Sequence, residues 1–167
     1  MERFIKIKIE EYNSPEELDD ADRELLNLAI KATETSYSPY SAFRVGAAVR
    51  LENKELIIGS NQENAAYPSG LCAERVALFF AQAKHPEIAA EAIAIYAKSD
   101  DFKLEQPVTP CGSCRQVLAE HENRHRKKIR VIMGGANGSV QVTEGIESLL
   151  PLMFMLENLK KSVRHEK

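Results

Sequence analysis

Two short stretches constrain this chain more than any others: Cys72-Ala73-Glu74 and Pro110-Cys111-Gly112-Ser113-Cys114. Between them they hold all three cysteines of the sequence. Each stretch reads as the opening of a helix. Cys111 and Cys114 are three apart and share one face of a first turn. A helix N-terminus, with its unpaired N–H groups, favours a thiolate over a thiol. If Cys72 opens its own helix, two helix N-termini converge on one point and can hold three thiolates together. An odd, small number of cysteines argues against a fold stapled by disulfides. In a reducing compartment, spaced cysteines are more often metal ligands or redox groups.

Three soft ligands suit zinc. A structural zinc site closes with a fourth protein ligand, whereas a catalytic one leaves the fourth place to water. His85, His121, His125 and His165 all lie outside the two motifs, and none is an obvious fourth ligand. The count therefore favours an open site with one Zn²⁺ and a bound water, whose pKa the metal lowers toward ~7. Glu74 is the carboxylate that can take the water proton and deliver it elsewhere. Residues two apart on a regular helix point about 200° from each other, so spacing alone does not bring Glu74 to the metal. Three thiolates also leave the centre negatively charged. A guanidinium donating to sulfur would restore Lewis acidity, and Arg75 and Arg115 each directly follow a motif. A thioredoxin-like dithiol would account for Cys111 and Cys114 but leave Cys-Ala-Glu idle. A purely structural zinc lacks a fourth ligand, and inert buried cysteines are the remaining alternative.

The rest of the chain supplies the scaffold. Its 167 residues predict one domain. Twenty-two basic against 25 acidic residues give a net charge of −3, which argues against a nucleic-acid partner, since such binding needs a basic face. The longest apolar runs fall well short of a membrane span. The start, Met-Glu-Arg-Phe-Ile-Lys, has no apolar signal core, so a cytoplasmic protein is expected. Residues 4–10 alternate with period two and predict a half-buried strand with Ile5, Ile7 and Ile9 on one face. Ser14, Pro15 and Glu17 read as a helix start, and apolar residues from Leu18 to Ala32 predict one amphipathic helix ending near Ser36. Phe43–Leu51 and Glu55–Ser60 predict a hairpin, residues 72–84 a helix, and Ile93–Ala97 a buried strand. Cys111 to about His121 reads as a helix. Lys128–Met133 and Val140–Thr143 are strands, followed from Gly145 by a short helix and, after Pro151, a C-terminal helix. This order predicts a three-layer α/β/α fold with a mixed five-stranded sheet, plus a strand-like N-terminal extension over residues 1–14.

With the motifs in place, the chain resembles the zinc-dependent nucleoside deaminases in their three-cysteine variant, and more specifically the small, homotetrameric cytidine deaminases. The matching segments are Tyr37–Ala48, Asn61–Tyr67, Gly70–Arg75, Pro110–Leu118 and Leu149–Phe154. The resemblance implies a single zinc-dependent deaminase domain over residues 15–167. It implies that Cys72, Cys111 and Cys114 bind one zinc per subunit and that Glu74 is the proton shuttle. Asn61 and Glu63 would hold the ribose 3′-hydroxyl, and Phe43 would stack on the pyrimidine. The Ala73 amide would bind the ring carbonyl and the Thr109 carbonyl the 4-amino group. Tyr67 and Phe154 would complete the pocket, in part from a neighbouring subunit of a homotetramer with shared active sites. The implied activity is hydrolytic deamination of cytidine and 2′-deoxycytidine, a pyrimidine salvage reaction, by zinc-bound hydroxide. Read without the resemblance, Asn61 and Glu63 could be turn residues, Phe43 core, and Phe154 part of an apolar core or subunit interface. Competing readings are a deaminase acting on a nucleic acid, one acting on a cytosine-bearing antibiotic such as blasticidin S, and a zinc-stabilised binding module.

Overall fold

Apolar residues alternating with period two build the centre of the molecule, which a computed structural model describes over residues 1–155. Strand β4 (Ala90–Ser99) sends Ile93 and Ile95 to one face and Ala92 and Ala94 to the other, all of them buried. Strand β2 (Phe43–Leu51) does the same with Ala47, Val49 and Leu51 against Ala48. In β5 (Arg130–Gly134), Val131 and Met133 oppose Ile132. Strands apolar on both faces must be covered on both. Helix α1 (Asp20–Ala32) covers one face through Leu25, Leu26 and Ala29. Helices α2 (Ala73–Lys84) and α3 (Gly112–His125) cover the other through Ala73, Ala77, Leu78, Leu118 and Ala119. The three-layer α/β/α architecture is therefore as expected.

Among the described residues the sheet has six strands rather than five. Strands β1 (Glu10–Tyr12), β3 (Leu56–Ser60) and β6 (Val140–Glu144) complete the order β1-β6-β5-β4-β2-β3. Only β4 and β5 run parallel. The sixth strand comes from the N-terminal segment, but further along it than its alternation suggests. Glu10 pairs with Val142 and Tyr12 with Val140, and the ladder stops there. Residues 4–9 have no partner strand among the described residues, and Phe4, Ile5, Ile7 and Ile9 are exposed. Alternation makes a strand possible, but a neighbouring strand and a face to cover are needed to form one.

The start of α1 also differs. Ser14 makes no side-chain cap bond, and Pro15–Glu17 forms a single 3₁₀ turn that ends at the extended Leu18. Asp19 caps the helix instead, its carboxylate accepting from the Asp22 amide at 2.8 Å. A second 3₁₀ turn, Thr33–Thr35, follows Ala32. Asp22 itself is buried and takes hydrogen bonds from Arg50 of β2 (3.0 Å) and Arg130 of β5 (2.6 Å), pinning α1 across the sheet.

Two glycines set how closely the helices approach. A Cβ on Gly46 would lie 2.0 Å from the Ala29 carbonyl of α1, and one on Gly59 would lie 2.6 Å from the Ala77 nitrogen of α2. Past Gly145 the chain makes one 3₁₀ turn, Ile146–Ser148. The expected C-terminal helix beyond Pro151 falls largely on residues 156–167, outside the described residues. Among the described residues, no helix is long and apolar enough to cross a membrane.

Candidate active site

Both cysteine motifs open helices. Cys72 is the N-cap of α2 (φ −70°, ψ 153°) and Cys111 the N-cap of α3 (φ −65°, ψ 165°), while Cys114 lies in the first turn of α3. The two N-termini meet on the same side of the sheet. The three sulfurs all lie within 4.8 Å of one another, with Cys72 and Cys111 at 3.8 Å. Zn–S bonds of about 2.3 Å in tetrahedral geometry place sulfurs ~3.8 Å apart, so the trio has the size and the soft donor set of a zinc site. The extended backbone of Cys72 also settles where Glu74 points. An N-cap lies outside the helical rotation, so the 200° separation of a regular helix does not apply. Glu74 is buried beside the Cys72 and Cys114 sulfurs.

The electrostatics favour a thiolate here. A hydrogen bond from the Cys114 thiol, with help from Arg75 and Cys111, holds the Cys72 thiol far below its ordinary pKa. Cys114, as donor in that pair and buried, is pushed up. Burial holds the Glu74 carboxyl above the usual carboxylate range, and the nearby Cys72 thiolate adds to this. The two arginines have different partners. Arg75 donates to the Cys72 sulfur at 3.7 Å. Arg115 donates to the Pro110 carbonyl (2.7 Å), the Leu149 carbonyl (2.7 Å) and the Thr109 hydroxyl (2.8 Å). It therefore clamps the segment ahead of Cys111 to the chain beyond α3, and none of these hydrogen bonds goes to sulfur.

Above the sulfurs opens a cavity of about 600 Å³. Cys72, Cys111, Glu74 and Arg75 lie along its lining with Phe43, Asn61, Glu63, Tyr67 and Thr109. Ala73, fully buried at the first position of α2, presents no side chain to it. Phe154 is not brought to this cavity: its ring is exposed and its carbonyl accepts from Gln116 at 2.7 Å. Tyr40, Ser41, Val45, Leu71, Ile95 and Val108 also line the cavity, and sequence reasoning gave them no role. For Val45 and Ile95 the signal was strand alternation, which turns both toward the face of α2 and α3.

Asn61 and Glu63 are each partly committed to the scaffold. The Asn61 side-chain oxygen accepts from the Val45 amide (2.8 Å) and the Ser36 hydroxyl (2.6 Å), and its nitrogen donates to the Phe43 carbonyl (2.9 Å). Among the described residues, that leaves one N–H of the amide free. One Glu63 oxygen accepts the amides of Tyr40 (2.9 Å) and Ser41 (3.3 Å), and the other accepts the Ser41 hydroxyl. The Ser41 hydroxyl bond, first among these, holds the Glu63 carboxyl below its ordinary pKa and therefore ionised at neutral pH. Tyr40 and Ser41 are thus the supports of Glu63, a relation invisible in sequence because 22 positions separate Ser41 from Glu63.

Comparison with known proteins agrees with this geometry. Residues 19–134 match the family model for the cytidine and deoxycytidylate deaminase zinc-binding region. A cytidine deaminase of Halalkalibacterium halodurans is 40% identical over 135 residues, which cover 81% of this chain and 95% of that protein. One from Sporosarcina psychrophila is 40% identical over 129 residues, covering 77% of this chain and 88% of the relative. The crystal structure of cytidine deaminase from Burkholderia pseudomallei superposes with a TM-score of 0.69 at 37% identity, covering 78% of this chain and 97% of that one. With its three sulfurs gathered at two helix N-termini beneath the cavity, the chain belongs to the cytidine and deoxycytidylate deaminase zinc-binding family.

Proposed function

We propose that this protein hydrolyses cytidine and 2′-deoxycytidine to uridine and 2′-deoxyuridine with release of ammonia. The observation that carries the reading is the buried carboxylate of Glu74 beside a three-sulfur cluster at the floor of a nucleoside-sized cavity. Arg75 is the only cation among the described lining residues, and it already donates to Cys72. Glu63 and Glu74 add negative charge. A 5′-phosphate would find no cationic partner in that lining, so a free nucleoside fits better than a nucleotide.

Cys72, Cys111 and Cys114 would hold one zinc per chain, which supplies Lewis acidity to a water molecule. The chain's own groups do the rest. Glu74 takes a proton from the attacking water and delivers it to N3 of the pyrimidine as a C4–O bond forms. It then passes the second water proton to the 4-amino nitrogen, the C4–N bond breaks and ammonia leaves. The Ala73 amide, at the N-terminus of α2, donates to the ring carbonyl, and the Thr109 carbonyl accepts from the 4-amino group. Phe43 stacks on the ring. The free N–H of Asn61 donates to the ribose 3′-oxygen while Glu63 accepts that hydroxyl's proton, so one hydroxyl is gripped as acceptor and donor at once. Arg75 withdraws charge from the Cys72 sulfur, whereas Arg115 acts on the site by holding Thr109 and Pro110 in place.

The same reading gives a homotetramer. Phe79 and Phe80 are exposed side by side on α2, and Tyr67 and Leu71 at the cavity are exposed as well. Apolar surface of this kind marks an interface, and a closed D₂ tetramer is the symmetric solution. Phe154 then serves a neighbouring subunit's pocket, and the enzyme works in the cytoplasm. Purified protein assayed with cytidine, deoxycytidine, CMP and blasticidin S should show ultraviolet loss with the first two. Cys111→Ala should abolish both that loss and the bound zinc. Absence of turnover with cytidine would overturn the proposal.

A further inference from the structure

Phe43 opens β2 opposite Ser99, the last residue of β4. Three residues later, Phe102 turns back onto it, with ring centroids 6.3 Å apart and planes 17° from parallel. Aromatic pairs favour such offset stacking. Phe102 is 53% exposed, so core burial does not account for its position. Phe43 lines the cavity and Phe102 does not, so the second ring backs the first rather than meeting a ligand.

The segment carrying Phe102 is tied at both ends. Asp100 accepts from the Arg44 guanidinium at 2.9 Å, and its amide donates to the Ala42 carbonyl at 3.3 Å. At the other end, Asn137 donates to the Glu105 carbonyl at 2.8 Å. Ala42 and Arg44 are the two neighbours of Phe43, so the residues that hold the Phe102 segment also flank the ring it covers.

We infer that Phe102 is a positioning residue for the pyrimidine: it holds the Phe43 ring in its stacking orientation before substrate arrives. This rests on the reading of Phe43 as the base-stacking wall of a cytidine deaminase. A free aromatic side chain gives up rotamer freedom when a ligand lands on it, and a ring already stacked has lost that freedom beforehand. The benefit therefore falls on binding, in KM, and not on the proton transfers that set kcat.

Steady-state kinetics with cytidine on the full-length, zinc-loaded protein test this. Phe102→Ala should raise KM roughly two- to tenfold, the range an aromatic pair corresponds to, and leave kcat in place. Phe102→Tyr should restore KM. In a Phe43→Ala background, Phe102→Ala should change KM no further, because the ring it supports is gone. If Phe102→Ala does not fold, Phe102→Leu keeps the apolar bulk without the aromatic face and carries the same test. A merely structural residue would lower the thermal midpoint and the active fraction with KM unmoved. The inference is overturned if KM stays at its wild-type value, or if it rises equally with and without Phe43. A rise for Phe43→Ala but none for Phe102→Ala overturns this inference alone. An unchanged KM in Phe43→Ala overturns the stacking role of Phe43 and this inference with it. A wild-type protein that does not deaminate cytidine overturns the function itself.

Discussion

Glu74 is held next to the sulfurs by a backbone detail, the extended N-cap conformation of Cys72, and its burial keeps its proton on to higher pH than an exposed glutamate. Replacing it with glutamine preserves shape and removes the proton carrier. Glu74→Gln should retain zinc by elemental analysis and lose 10²–10⁴-fold in kcat. Near-native turnover would exclude the shuttle. His121 gives a second residue-level prediction. Its Nε2 accepts the Ala90 amide at 2.9 Å within the core, which requires the neutral ring. Burial, with the neighbouring charges of His125 and Arg124, lowers its pKa from the ordinary 6.5 to about 4. Between those values the unfolded chain binds more protons than the folded one. Stability should therefore fall as pH drops through that window. A loss on the order of 1–2 kcal/mol from pH 7 to pH 5 is expected in urea unfolding, and His121→Gln should flatten part of the slope. An identical slope in the variant would remove His121 as its source.

At the scale of elements, the site depends on how closely α2 lies on β3. Gly59 makes that approach possible, since a Cβ there would meet Ala77 N at 2.6 Å and Ala73 O at 2.9 Å. Backbone cannot give way as a flexible side chain can, so Gly59→Ala must push out the N-terminal half of α2, which carries Cys72 and Glu74. The expected result is a fall in stability of about 1–3 kcal/mol, together with weaker zinc retention in a chelator competition. Unchanged zinc retention would separate the helix position from the metal site. On the other face, one carboxylate joins three elements: Asp22 of α1 holds arginines from β2 and β5. Such a pinned helix was legible only as an amphipathic pattern. Its first residue was misplaced because Ser14-Pro15 looks like a start, while Asp19 is the residue whose carboxylate reaches an unpaired amide.

At the scale of the whole molecule, the exposed apolar side chains of α2 and the outlying Phe154 are the features a single chain leaves unexplained. Light scattering should give the mass of four chains. Phe80→Asp, placing a charge in the apolar surface of α2, should yield smaller species with a raised KM. Phe154→Ala should raise KM while the mass stays that of a tetramer. A fully active monomer at micromolar concentration would refute both the interface and the shared pocket, and would leave the zinc site untouched.

Whatever depends on a few neighbouring residues was legible in the chain alone: the alternation of the central strands, the two cysteine motifs at helix openings, the order of elements and hence the three layers. The recognisable motif set also pointed to the deaminase family before any distance was known. What depends on residues far apart in the chain emerged only with the folded arrangement. It brought Cys72 within 3.8 Å of Cys111, gave the sulfur contact to Arg75 and the clamp to Arg115, committed three of the hydrogen-bonding positions of the Asn61 side chain to the scaffold, and enlisted Glu10–Tyr12 as a sixth strand of the described sheet. Local signals are carried by backbone propensity and period. Hydrogen-bond partners and burial are set by which other element lies within a few ångströms, and the packing of helices on the two faces of the sheet fixes that only once the whole chain has folded.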